Sequence, residues 1–336
     1  MKRNMKQWLE EWKASLIKKA FPILFFPTTQ LLNKTVKELI SSSDNLAEGM
    51  KLVAERVDSI AAISAMDLSI EAECFGSEIV FSESEVPTVK GSIITEMEEV
   101  EALEIPAIGT GRTRIYIEAV RKASELILDR PVFAGMIGPY SLAGRLLDVT
   151  EIIYFCYDEP EMVTLLLDKV TEFLISYGKA YKEAGANGIM IAEPLAGMLS
   201  PTMEAEFSAP FVKRIVEALQ DENFLVIYHN CGDNTIPMID SILTTGAGAY
   251  HFGNSIDMEE MLQHVPNDIV VMGNIDPAGE FCNGTKESIQ KETRELLERC
   301  NTYSNFIISS GCDIPPMSSW ENIDAFFNEV KNFYER

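Results

Sequence analysis

Several features that announce common protein classes are missing from this sequence. No apolar run approaches the roughly 20 residues needed to cross a bilayer. Cations are scarce: 28 Lys and Arg stand against 52 Asp and Glu, a formal net charge of -24. Phosphate backbones and anionic lipid surfaces both require basic patches, so the balance argues against nucleic-acid and membrane partners. No GxGxxG follows any apolar run, which argues against a dinucleotide-binding open sheet. The six cysteines, Cys74, Cys156, Cys231, Cys282, Cys300 and Cys312, contain no CxxC pair. Charges interrupt the basic N-terminus throughout, so it is no secretory signal. The thiols are therefore read as reduced, in a cytoplasmic protein. Only three histidines occur, His229, His251 and His264.

What is present is a series of eight brief apolar runs separated by longer helical patterns. They lie at 22–26 (PILFF), 60–66 (IAAISAM), 132–137 (VFAGMI), 188–192 (GIMIA), 224–228 (FLVIY), 248–252 (GAYHF), 269–272 (IVVM) and 306–309 (FIIS). Short continuous apolar strands alternating with helices indicate a parallel sheet covered on both faces. Eight of them indicate an α/β fold of the (β/α)8 TIM-barrel type. Residues 159–183 read as one long amphipathic helix. Ser200-Pro201 reads as a helix start with proline in the first turn. Ser318 with Glu321 reads as a capping box opening the last helix. Residues 79–94 (IVFSESEVPTVKGSII) break the alternation and read as a hairpin-like insertion after the second strand. Trp8, Leu9, Trp12, Leu16 and Ile17 recur at helical spacing. The chain is thus divided into an N-terminal helical extension, 1–20, and a single barrel, 21–336.

In such barrels, functional residues collect at the C-terminal ends of the strands. The second run ends in Asp67, the third in Gly138-Pro139, the fourth in Glu193-Pro194 and the fifth in His229-Asn230-Cys231-Gly232. His251 ends the sixth, Asn274 and Asp276 follow the seventh, and Gly311-Cys312-Asp313 follows the eighth. His229 and Cys231 are two apart, so on an extended chain they point the same way. Barrel closure brings Cys312 to the same rim. One imidazole and two thiolates make a three-ligand zinc set with the fourth position open, the form used in catalysis. Zinc converts a thiol of ordinary pKa about 8.5 into a bound thiolate at neutral pH, an activated sulfur nucleophile. The ordinary alternatives are a cysteine acting as a small hydrophobe and a histidine that is merely hydrogen-bonded. Cys74, Cys156, Cys282 and Cys300 have no metal partner in sequence and are read as inert.

Seven stretches carry a resemblance: MDLSIEAECFG (66–76), GPYSLAGRL (138–146), GANGIMIAEP (185–194), SPTMEAEFSAPFVKRI (200–215), YHNCGDNT (228–235), VMGNIDP (271–277) and SSGCDIPP (309–316). The sequence resembles the uroporphyrinogen decarboxylase superfamily, and within it the zinc-dependent methylcobamide:thiol methyltransferases. The resemblance implies zinc (Zn2+) held by His229, Cys231 and Cys312, and a zinc-bound thiolate that attacks the methyl group of a methylated corrinoid, usually carried by a separate corrinoid protein. The products are a thioether and a Co(I) corrinoid. Asp67, Glu193 and Asn274 are the further candidate active-site residues. His251 and Tyr140 are candidates for the corrinoid-facing rim, and His251 also for a fourth zinc ligand.

Two departures matter. The decarboxylases carry an arginine-rich loop after their first strand. Here that stretch reads LFFPTTQLLNKT (24–35), with no arginine. Related zinc sites that methylate homocysteine add a glutamate ligand, and YHFGN (250–254) has none. The acceptor stays open: coenzyme M, whose sulfonate calls for a cation such as Arg112, Arg114 or Arg145, or homocysteine, another thiol or a folate. A metal-free carbon–carbon lyase and a non-catalytic corrinoid-binding module are the competing readings.

Overall fold

A computed structural model describes residues 2–335. Its strands, in chain order, are β1 (Ala62–Ile63), β2 (Glu78–Val80), β3 (Thr88–Lys90), β4 (Val132–Ile137), β5 (Gly188–Ala192), β6 (Leu225–Asn230), β7 (Ala249–Phe252), β8 (Val270–Ile275) and β9 (Phe306–Ser310). Seven of them run parallel in the order β1-β4-β5-β6-β7-β8-β9. Strands β4 to β9 are buried along their whole length, as a sheet covered on both faces requires.

The first apolar run closes the circle without forming a regular strand. The Phe21 N–H donates to the Ile308 carbonyl of β9 at 3.0 Å, and the Ile60 N–H, just ahead of β1, donates to the Ala20 carbonyl at 3.0 Å. Pro22 follows these contacts directly and has no N–H to continue a ladder. The next amide, Ile23, donates instead to the Ser310 hydroxyl at 3.0 Å. The segment at 20–26 is therefore the eighth stave of a (β/α)8 barrel.

Alternation along the strands sorts side chains into two layers. Phe133, Met190, Leu225, Ile227, Ala249, Met272 and Ile307 fill the interior. Their neighbours, such as Val226, Tyr228, Tyr250 and Ile308, pack outward against the helices. The period-2 rule then turns His229, His251 and Ser309 inward, two residues beyond Ile227, Ala249 and Ile307.

Helix Met5–Ala14 covers the barrel floor. Its Asn4 side chain caps the Gln7 N–H at 2.8 Å, and Met5, Trp8 and Leu9 join the interior cluster, with the Trp8 ring 5.9 Å from Phe133. Burying Met5 and Leu9 contributes about 1.5–3 kcal/mol each. The helix ends at Ala14, so Leu16 and Ile17 lie beyond it, 91% and 54% exposed, contrary to the sequence expectation.

The insertion forms as expected, an antiparallel hairpin of β2 and β3. The long helix is Pro160–Glu183, and Ser200 caps helix Pro201–Phe207 through the Met203 N–H. The last helix, Trp320–Tyr334, is capped by Ser319 through the Glu321 N–H, one residue later than the capping box placed it. No helix among the described residues is long and apolar enough to cross a membrane.

Candidate metal centre and the barrel rim

His229 ends the inward row of β6, and the chain leaves the strand through Asn230. The Asn230 side-chain oxygen accepts the Gly232 N–H at 2.9 Å and the Thr235 hydroxyl at 3.2 Å, and its amide donates to the Tyr228 hydroxyl at 3.1 Å. These bonds set the turn that carries Cys231. Backbone packs on backbone around it: a Cβ on Gly253 would lie 2.6 Å from the Cys231 Cα, and one on Gly232 would lie 2.4 Å from the Gly197 Cα. Only glycine fits there.

Cys312, in the turn after β9, completes the group. One ligand atom each of His229, Cys231 and Cys312 lies within 4.8 Å of the others. The Cys312 Sγ is 3.6 Å from the His229 Nε2. Tetrahedral zinc with Zn–N near 2.0 Å and Zn–S near 2.3 Å needs an N···S edge of about 3.6 Å, so the donors suit the ion. His229 is 1% exposed, and both cysteines are partly accessible. Cys231 is held below the ordinary thiol range by the hydrogen bond from Cys312, and that bond together with burial pushes the Cys312 thiol up to about 12.

His251 is not a ligand in this arrangement. Its Nδ1 lies 2.8 Å from the His229 Nδ1, and its Nε2 lies 2.7 Å from the Ser309 Oγ. Both ring nitrogens are engaged, and the side chain is fully buried. Tyr140 is likewise 1% exposed, with its hydroxyl 3.9 Å from the Cys156 Sγ. Both candidates for the corrin-facing rim are thus engaged inside the protein.

Asp67 and Glu193 are placed at the rim and are fully occupied there. The Asp67 carboxylate accepts from Arg112, from the Tyr116 hydroxyl at 2.9 Å and from the Ser69 hydroxyl at 2.6 Å. Arg112 also pairs with Glu73 at 2.6 Å. Glu193 accepts the Tyr140 and Ser141 N–H groups, both at 2.9 Å, and the Ser141 hydroxyl at 2.6 Å. It thereby caps helix Pro139–Leu147, although burial pushes its carboxyl up to about 7. Asn274 donates to the Gly253 and Ile256 carbonyls at 2.8 and 2.7 Å. These bonds tie Asn274 to the turn after β7.

Some rim atoms remain unspent. The Glu71 Oε2, the Arg145 Nε and the Asp313 Oδ1 are buried without a hydrogen-bond partner. Burial pushes the Glu71 carboxyl up to about 7. Burial and the neighbouring Cys312 sulfur push that of Asp313 well above the usual range. Of the three candidate arginines, Arg112 is committed to carboxylates and Arg114 is exposed. Arg145 makes no hydrogen bond or ion pair among the described residues, and the buried carboxyl groups of Glu71 and Asp67 lie in its field. Ser309 went unnoticed in the sequence, where a serine ending an apolar run carries no signal of its partners. Cys74, Cys156 and Cys300 are buried thiols, raised to about 11, 11 and 12 by burial, in keeping with their reading as inert.

The chain is 28% identical to methylcobamide:CoM methyltransferase MtbA of Methanosarcina acetivorans, over 85% of each protein. It is 26% identical to uroporphyrinogen decarboxylase of Pseudoalteromonas translucida, over 81% of this chain and 78% of that one. Among solved structures, a methyltransferase from Methanosarcina mazei superposes with a TM-score of 0.87 at 22% identity over 99% of both chains. A B12-independent methionine synthase from Shewanella superposes with a TM-score of 0.65 at 15% identity, over 96% of this chain and 97% of that one. These two share the fold. The family model for uroporphyrinogen decarboxylase (URO-D) matches residues 27–333, and the chain belongs to that family.

Proposed function

We propose that the protein transfers a methyl group from a methylated corrinoid, carried by a partner protein, to a thiol. The observation that carries this reading is the group His229, Cys231 and Cys312, whose donor atoms converge at zinc-binding distances on an accessible rim. The likeness to a methylcobamide:CoM methyltransferase supports the same choice. So does the stretch 24–35, which offers no arginine to grip a polycarboxylate porphyrinogen.

His229, Cys231 and Cys312 would hold zinc, with the acceptor thiol as the further ligand. When bound, the ion supplies the positive charge that keeps an incoming thiol ionised at neutral pH. The protein's part is to hold that sulfur in line with the methyl–cobalt bond. The carbon–sulfur bond forms as the carbon–cobalt bond breaks. The pair of electrons leaves with the cobalt, and the thiol proton has already gone to solvent. Arg145 is the cation available for an anionic tail on the acceptor, because it alone of the three candidates is half-buried and makes no ion pair among the described residues. The barrel acts as one catalytic unit, and helix Met5–Ala14 serves as its floor.

The test is metal analysis together with methyl transfer from methylcobalamin to a panel of thiols. We expect one zinc per chain, and expect Cys312→Ser to lose both zinc and transfer. Full zinc retention in that variant would overturn the ligand assignment. Activity on a porphyrinogen that survives a strong chelator would favour a lyase.

A further inference from the structure

We propose that Ser309 and His251 form a proton-ordered relay, anchored on the Phe21 carbonyl, that locks His229 as its Nδ1–H tautomer and so turns a bare Nε2 toward the metal site. The inference deepens the metal-site reading above and takes that reading as its basis.

The argument is an accounting of protons along one buried line. It starts at the Phe21 carbonyl, which can only accept. The Ser309 hydroxyl lies 2.7 Å from that oxygen, so its single proton is donated there. Ser309 therefore has only lone pairs to offer the His251 Nε2, 2.7 Å away on its other side. A contact that short needs a proton, and only the Nε2 can supply it. His251 is thus an Nε2–H tautomer with a bare Nδ1.

That bare nitrogen lies 2.8 Å from the His229 Nδ1. Two bare nitrogens at that distance would repel, so the His229 Nδ1 carries the proton. A second acceptor, the His251 main-chain carbonyl, lies 3.3 Å from the same atom and makes the same demand. The His229 Nε2 is left bare, facing the Cys312 Sγ at 3.6 Å. A metal-ligating imidazole must present a lone pair, and the bond at its other nitrogen decides which one.

The chain of bonds joins three strands and the closing segment. His229 lies on β6, His251 on β7 and Ser309 on β9, all turned inward by the alternation that fills the interior. Phe21 belongs to the segment that closes the barrel. The tautomer of the ligand is therefore set by closure of the barrel at a point remote from it in sequence. Ser309 and His251 are fully buried. They are positioning residues, since neither faces the reacting sulfur.

The chain's three histidines make the test direct. In metal-free wild-type protein, long-range 15N NMR should show opposite tautomers in the pair: His229 protonated on Nδ1 with a bare Nε2, and His251 protonated on Nε2 with a bare Nδ1. His264→Gln assigns the third ring. Chelator competition should show zinc affinity lowered on the order of 10-fold in Ser309→Ala, the lower end for loss of an outer partner of a ligand, and restored in Ser309→Thr. His251→Asn, whose side-chain oxygen replaces the Nδ1 acceptor, should retain more affinity than His251→Leu. A proton on the His229 Nε2 in the metal-free protein would overturn the proposal. So would an unchanged zinc affinity in Ser309→Ala, and in that case the metal-site reading survives. If the wild type binds no zinc, the metal-site reading falls instead, and the NMR pattern still decides the proton order.

Discussion

Two arcs of one barrel rim use similar polar residues and treat them in opposite ways. Along β1 and β5 and the turns that follow, Asp67 and Glu193 are buried with their carboxyl oxygens bonded, Asp67 to Arg112 and to hydroxyls, Glu193 to N–H groups and a hydroxyl. Along β6 and β9, the His229 Nε2 and two sulfurs face one another with little besides themselves. Burying polar atoms without partners costs stability. A fold that bonds Asp67 and Glu193 on one arc and leaves the three metal-capable donors of the other facing one another marks the second as the place where something from outside completes the bonding. On the first arc Asp67 ties the turn after β1 to Arg112, and Glu193 starts a helix.

The sharpest way to break this comparison is Cys231→Ala. It should lose zinc and lower thiol methylation more than 100-fold, beyond the roughly 10–100-fold carried by outer partners of a metal ligand. Its thermal midpoint should stay near that of the wild-type apoprotein. Metal analysis and the methylcobalamin assay measure the first effect, and calorimetry the second. A variant that keeps its zinc would place Cys231 in the scaffold.

Asp67→Asn should do the reverse. It leaves Arg112 buried with only Glu73, and should cost about 3 kcal/mol in a urea titration, the lower end for breaking a buried pair. Zinc content should not change. Loss of zinc with unchanged stability would merge the two arcs.

Glu71 lies between these extremes, since its Oε1 accepts the Ile137 N–H at 3.1 Å while its Oε2 has no partner. Its carboxyl is raised from 4.5 to about 7, first by burial. The folded state therefore binds a proton between about pH 4.5 and 7 that the unfolded state has released. Stability is lost as pH rises through that window. Glu71→Gln removes the penalty: it should be more stable than wild type at pH 8, by up to about 3 kcal/mol, with the difference vanishing near pH 4.5. A pH-independent difference would show that burial does not hold this proton.

The smallest effect is expected at Arg145. Arg145→Gln should raise KM for an anionic thiol about 10-fold, the worth of one hydrogen bond to a charged group, and leave KM for 2-mercaptoethanol unchanged. Equal effects on both thiols would assign Arg145 to the scaffold.

The first arc was harder to read from the sequence than the second. His229 and Cys231 share a face because strands have a period of two, and any reader of YHNCGDN can see it. Asp67 and Glu193 were visible as strand-end acids, but their partners Arg112 and Ser141 come from other segments, so their bonded state was not. His251 shows the limit most plainly: its type suggested a ligand or a corrin contact, and only its neighbours reveal both nitrogens engaged. The capping box placed at Ser318 instead of Ser319 is a smaller error of the same origin, because adjacent serines are equivalent until the chain turns.

Taken alone, the order of residues determined the number of staves, the inward face of each and the identity of the three soft donors. These are local matters, ruled by the alternation of side chains along an extended backbone and by which atoms bind metal. Only the folded barrel decided which polar atoms are satisfied, and so which are free to act. Hydrogen bonds between staves join residues far apart along the chain, and the Phe21 carbonyl meets Ser309 only after the irregular first segment has closed the circle.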